Sequence, residues 1–72
     1  MIDYSKLKGR IIELFNSYTK FAEAIGKDKQ HVSRTINNAR FLTQKEVILW
    51  AEVLRIDASE IGSYFYTLKD AN

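Results

Sequence analysis

The stretch FAEAIGKDKQHVSRTINN, Phe21 to Asn38, decides how the chain is read. It opens on an apolar pair, Phe21 and Ala22, and reaches Ile25 before Gly26. A helix that ends at Ile25 would place Gly26 at the left-handed position where helices commonly stop. Asp28 then has the chemistry of an N-cap for a second short helix running to about Asn37. That second helix is unusual in what it carries. Lys29, Gln30, His31, Ser33, Arg34 and Asn37 are polar, and only Val32 and Ile36 are available for a core. Successive residues on a helix advance by about 100°. Val32 and Ile36 therefore share the inward side. Gln30, Arg34 and Asn37 fall roughly opposite, His31 and Ser33 lie on the flanks, and Lys29 sits at the open start. Such a helix is kept for what its outer face touches.

The rest of the chain follows the same helical period. There is no proline, and nowhere do β-branched residues alternate with polar ones. A first segment, about Tyr4 to Asn16, puts Tyr4, Leu7, Ile11, Leu14 and Phe15 on one face, with Asp3 or Ser5 able to cap it. The segment before Gly26 runs from about Thr19 to Ile25. A fourth opens with TQKE, Thr43 to Glu46, the signature of a capping box. It continues to about Leu54, with Val47, Trp50, Ala51 and Leu54 inward. A fifth opens with DASE, Asp57 to Glu60, and buries Ile61 and Phe65. The expected architecture is all-α, a compact five-helix bundle over residues 1–66. Residues 67–72, TLKDAN, read as a polar, frayed tail.

Composition narrows the function. Seventy-two residues make one domain, and a domain of that size hides only about 60% of its unfolded surface. No cysteine is present, so packing must hold the fold without disulfide or thiolate metal sites. The net charge of +2, from 11 basic and 9 acidic residues, permits nucleic-acid binding without demanding it. The longest apolar run, Val47 to Ala51, is far too short to cross a membrane, and MIDYSKLKGR lacks the apolar stretch of a signal peptide. Catalysis is not expected. The single histidine, His31, has no carboxylate at i+3 or i+4, the carboxylates Glu13, Glu23, Glu46, Glu52 and Glu60 are spread over different helices, and no glycine-rich phosphate loop occurs. No cofactor, metal or small-molecule substrate is expected either.

Two short helices around a tight glycine turn are the helix-turn-helix arrangement, whose second helix lies in the major groove of DNA. The outer face has suitable chemistry: glutamine can bond adenine and arginine can bond guanine, each through two hydrogen bonds. Phosphate contacts would come from Ser17, Thr19 and Lys20 at the start of the second helix. Asn38 and Arg40, in the loop after the third, would add others. A charged helix face is more often simply solvated, so face chemistry by itself is a weak signal. Ile48 and Leu49 stand outside the apparent core side of the fourth helix and mark a possible protein interface, although scattered surface leucines are ordinary.

KFAEAIG followed by VS, N, R and TQ.E resembles the Cro and CI repressor type of helix-turn-helix domain, the lambda-repressor-like DNA-binding fold. DYSKLKGRIIELF, FAEAIG, FLTQKEV and EIGSYF together resemble small Cro-like proteins of temperate phages of Gram-positive bacteria, over roughly Asp3 to Phe65. The resemblance implies a regulator of the lysis–lysogeny switch in the cytoplasm of a bacterial host, with operator DNA as partner. It implies base-reading positions at Lys29, Gln30, Ser33 and Arg34 and backbone-contact positions at Lys20 and Arg40. Asn38 stands where the family often has glycine, Phe41 where proline is common, and Lys27 where an apolar residue is usual. Repressors of this type pair to read half-sites about 34 Å apart, so a homodimer is one expected partnership. The alternative is an antirepressor that binds the phage CI-type repressor through the same surface.

Overall fold

A computed structural model of the chain describes residues 1–70. Five α-helices follow one another: α1 (Ser5–Phe15), α2 (Tyr18–Ala24), α3 (Lys29–Ile36), α4 (Gln44–Val53) and α5 (Ile61–Phe65), with a 3₁₀ turn at Ala58–Glu60 leading into α5. The all-helical bundle is as the spacing predicts. α5 is shorter than its signature suggests, because Asp57 caps only the 3₁₀ turn, accepting from the Ser59 amide at 3.0 Å.

Side-chain caps start three of the helices. Ser17 accepts from the Lys20 amide, Asp28 from the His31 amide, and Thr43 and Glu46 close the capping box of α4. The same helices stop alike. Each ends on a left-handed residue, Gly26 (φ 74°), Asn38 (φ 61°) or Arg55 (φ 55°). The amide after it reaches back across the last turn: Lys27 to the Ala22 carbonyl, Ala39 to Arg34 and Ile56 to Ala51, each at 2.8 Å. Glycine takes that conformation freely, whereas an arginine in it costs roughly 1–2 kcal/mol. Arg10 helps offset this at the end of α4 by donating to the Leu54 and Arg55 carbonyls.

The core sits where α1, α2, α4 and α5 meet. Trp50 is fully buried with its ring edge-on to Phe21, centroids 4.9 Å apart, and Phe15 also packs on Phe21, centroids 5.4 Å apart. Val47, Ala51 and Leu54 complete the inward side of α4 as expected, and Leu7, Ile11 and Phe65 close the centre. Leu14 departs from the expected face. It is 37% exposed and lines a shallow groove with Phe15, Val53 and Arg55. Lying near the end of α1, it falls at the edge of the buried stripe, where the covering helices run out.

The chain ends correct a second expectation. Residues 67–69 are not a frayed tail: Leu68 forms an antiparallel bridge with Ile2, the Asp3 amide donates to the Thr67 carbonyl at 2.7 Å, and the Lys69 amide donates to Met1 at 2.9 Å. The packed unit therefore extends past residue 66. Residues 71–72 of the predicted tail lie outside the described residues. Main-chain groups make this pairing, and side-chain periodicity carries no trace of it.

Candidate nucleic-acid interface

α2 and α3 are joined across Ile25–Asp28, with Gly26 making the turn. α3 is anchored by few apolar contacts. Val32 is fully buried, Ile36 is only half-buried, and the residue that takes the expected place of Ile36 is Thr35, fully buried. A polar residue is tolerated there because its hydroxyl is satisfied twice. It donates to the His31 carbonyl at 2.9 Å and accepts from Arg40 Nη1 at 2.8 Å. Thr35 and Ile36 flank Val32 on the helix, and the helix is rolled toward Thr35.

That roll is set by a cluster of charged groups between α3 and α4. Arg40 places Nη2 at 2.7 and 2.9 Å from the two carboxylate oxygens of Glu46. His31 Nε2 lies 2.9 Å from Glu46 Oε2, and the Thr43 amide donates to Glu46 Oε1 at 2.9 Å. Burial pushes the Glu46 carboxyl up, but the hydrogen bonds from Arg40, Thr43 and His31 and the Arg40 charge outweigh it and bring it from 4.5 to about 2. Glu46 is therefore ionised at any ordinary working pH. Facing an ionised carboxylate, Nε2 of His31 carries a proton and donates.

Four sequence-predicted contacts are thus engaged inside the chain. His31, expected at the surface or facing DNA, turns toward the next helix. Arg40, expected on a phosphate, is held by Glu46 and Thr35. Asn38 ties the end of α3 to the start of the chain, accepting from the Ile2 amide at 3.0 Å and donating to the Ile2 carbonyl at 2.9 Å. Ser17 spends its hydroxyl on the cap of α2.

The remaining predicted residues stand free. Lys29, Gln30, Arg34 and Asn37 are exposed on α3, Ser33 is half-buried beside them, and Thr19 and Lys20 are exposed on α2. Among the described residues, the one side-chain bond between members of this set is a long contact, 3.4 Å from Asn37 Nδ2 to Ser33 Oγ. Among the described residues, Lys20, Lys27, Lys29 and Arg34 lie within ion-pair distance of no carboxylate. Charge is also unevenly spread. Residues 17–40 hold Lys20, Lys27, Lys29, Arg34 and Arg40 against Glu23 and Asp28. Residues 41–72 hold Lys45, Arg55 and Lys69 against Glu46, Glu52, Asp57, Glu60 and Asp70.

On α4, Ile48 and Leu49 are exposed, 51% and 40%, as their positions predict. The loop before it holds an apolar residue that the periodicity missed. Phe41 is 86% exposed, and its place outside every periodic segment was the only sign of it. Among the described residues no group of three or more His, Asp or Glu could hold a metal ion, and no helix is long and apolar enough to cross a membrane.

The fold and this face define a compact all-helical domain whose third helix presents amide and cationic side chains to the outside. The chain belongs to a family described as "Protein of unknown function (DUF739)", which matches residues 1–68. No curated protein matches it.

Proposed function

We propose that the chain is a sequence-specific DNA-binding regulator of the Cro type, acting at the genetic switch of a temperate phage. In this reading α2 and α3 form a helix-turn-helix and α3 enters the major groove. One observation carries it: Gln30 and Arg34 are exposed and unpaired on the side of α3 opposite the fully buried Val32. Amide and guanidinium groups on a rigid helix are the donors and acceptors that adenine and guanine edges require. Lys20, Lys27 and Lys29 supply unpaired positive charge around them for phosphates.

Duplexes selected from a randomised pool and then measured individually test this. Gln30→Ala with Arg34→Ala is expected to cost roughly 2–6 kcal/mol of discrimination between selected and random duplexes, at about 1–3 kcal/mol per two-bond pair. The helical circular dichroism should stay unchanged. Selection that enriches no sequence, or a double variant that discriminates as well as the parent, overturns the reading.

The exposure of Ile48 and Leu49 favours a second reading, in which the domain modulates repression by docking on a CI-type repressor. A duplex shift that requires the repressor would support it.

A further inference from the structure

Glu46 does more than cap its helix. A capping box needs the exchange with Thr43 and nothing else, and glutamine serves it as well. The other bonds of this carboxylate all go to groups that the sequence assigns to the candidate interface: Arg40 twice and His31 once. His31 sits within α3 between Gln30 and Arg34, and Arg40 lies four residues past the end of α3. The positive groups of this region thus fall into two sets. Lys20, Lys27, Lys29 and Arg34 are exposed and unpaired, whereas Arg40 is held against a carboxylate with its side chain 22% exposed.

We propose that Glu46 is an internal stand-in for a phosphate, occupying Arg40 and so limiting the sequence-independent affinity of the α3 face for nucleic acid. The proposal rests on the DNA-binding reading above. Guanidinium recognises carboxylate and phosphate through the same planar fork, so a phosphate reaching Arg40 must first displace Glu46. The carboxylate does not leave by protonation at working pH, since its neighbours hold it far below the usual range. Each phosphate contact steepens the dependence of log affinity on log salt by about 0.9 and raises affinity for all duplexes alike. Masking one cation therefore removes one such contact and leaves Gln30 and Arg34 untouched.

Fluorescence anisotropy with a random-sequence duplex across a series of KCl concentrations tests it. The comparison is between the parent, Glu46→Gln, Arg40→Ala, the double variant, and Glu52→Gln, which removes an equal charge from an exposed site without an ion pair. Glu46→Gln is expected to steepen the salt slope by about 0.9 beyond Glu52→Gln, and the double variant should return to the parent slope. Arg40→Ala alone should leave the slope unchanged. A Glu46→Gln slope no steeper than that of Glu52→Gln overturns the proposal. So does a slope lowered by Arg40→Ala alone, the arm that decides if Glu46→Gln does not fold by circular dichroism.

Retention on heparin, a sulfated polyanion with no bases to read, separates the two ideas. If no variant binds duplex DNA, but Glu46→Gln elutes at higher salt than Glu52→Gln only while Arg40 is present, masking stands and the DNA reading falls. Equal elution of the two sinks the masking.

Discussion

α3 and α4 are neighbours of similar length, eight and ten residues, held in place by opposite means. α4 is anchored by apolar area: Val47, Trp50 and Ala51, with Leu54 at its end, are buried among aromatic rings. α3 has Val32 and half of Ile36, and beyond those it relies on Thr35, His31, Arg40 and Glu46. Hydrophobic burial is non-directional, whereas hydrogen bonds to charged groups are short and oriented. Anchoring by polar bonds along one flank fixes the roll of α3 with little apolar surface. It leaves the opposite face free for Gln30, Arg34 and Asn37. α4 turns one apolar side to the core and carries two further apolar residues, Ile48 and Leu49, on its exposed side.

The largest loss is expected at α4. Trp50→Ala should cost about 3–5 kcal/mol, the usual range for a buried aromatic, in a domain with about 5 kcal/mol or somewhat more to lose. Loss of most helical circular dichroism at room temperature is the expected result. A cooperative melt near the parent temperature would show that α4 is not the main anchor.

Acid should loosen α3 instead. The Glu46 carboxyl is depressed from 4.5 to about 2 in the fold, so the stability it contributes is complete above about pH 4.5 and drains away as pH falls toward 2. The linked amount is at most roughly 3 kcal/mol. The gap in urea midpoint between the parent and Glu46→Gln should be smaller at pH 3 than at pH 7. A gap that stays constant between those values would mean that the carboxylate cluster does not hold the fold.

The smallest effect is expected at Leu49. Leu49→Lys should change stability by no more than about 0.5 kcal/mol, as at other exposed sites. It should nonetheless disrupt any association through α4, because burying an unpaired charge is expensive. Sedimentation of the variant, alone and mixed with a repressor, reads this. Unfolding would place Leu49 in the core, and association unchanged in both mixtures would place the interface elsewhere.

Much of the bundle was legible because its signals are local. TQKE announced the capping box, Gly26 the end of α2, and the apolar spacing of α4 its inward side. The misreadings share a cause. Thr35 has no place among the core residues that apolar spacing selects, yet it is fully buried with its hydroxyl satisfied by partners four and five residues away. His31 has no carboxylate one helical turn away, and its partner is Glu46, fifteen residues on and on another helix. Asn38 bonds to Ile2 across 36 residues. Hydropathy periodicity records which side of a helix is apolar. It is silent about polar pairs formed between elements, and the candidate interface is where such pairs decide which side chains remain available.

Trp50 has a practical consequence. It is the only tryptophan in the chain, fully buried and edge-on to Phe21, so excitation at the red edge of indole absorption reads one ring in a water-free setting. Its emission should lie well to the blue of free indole and shift red only when the centre of the molecule opens. A ligand on the exposed side of α3 touches no part of that ring. Intrinsic fluorescence is therefore a clean gauge of unfolding in mixtures where anisotropy of a labelled duplex gauges occupancy, and the two optical signals can be followed in one cuvette.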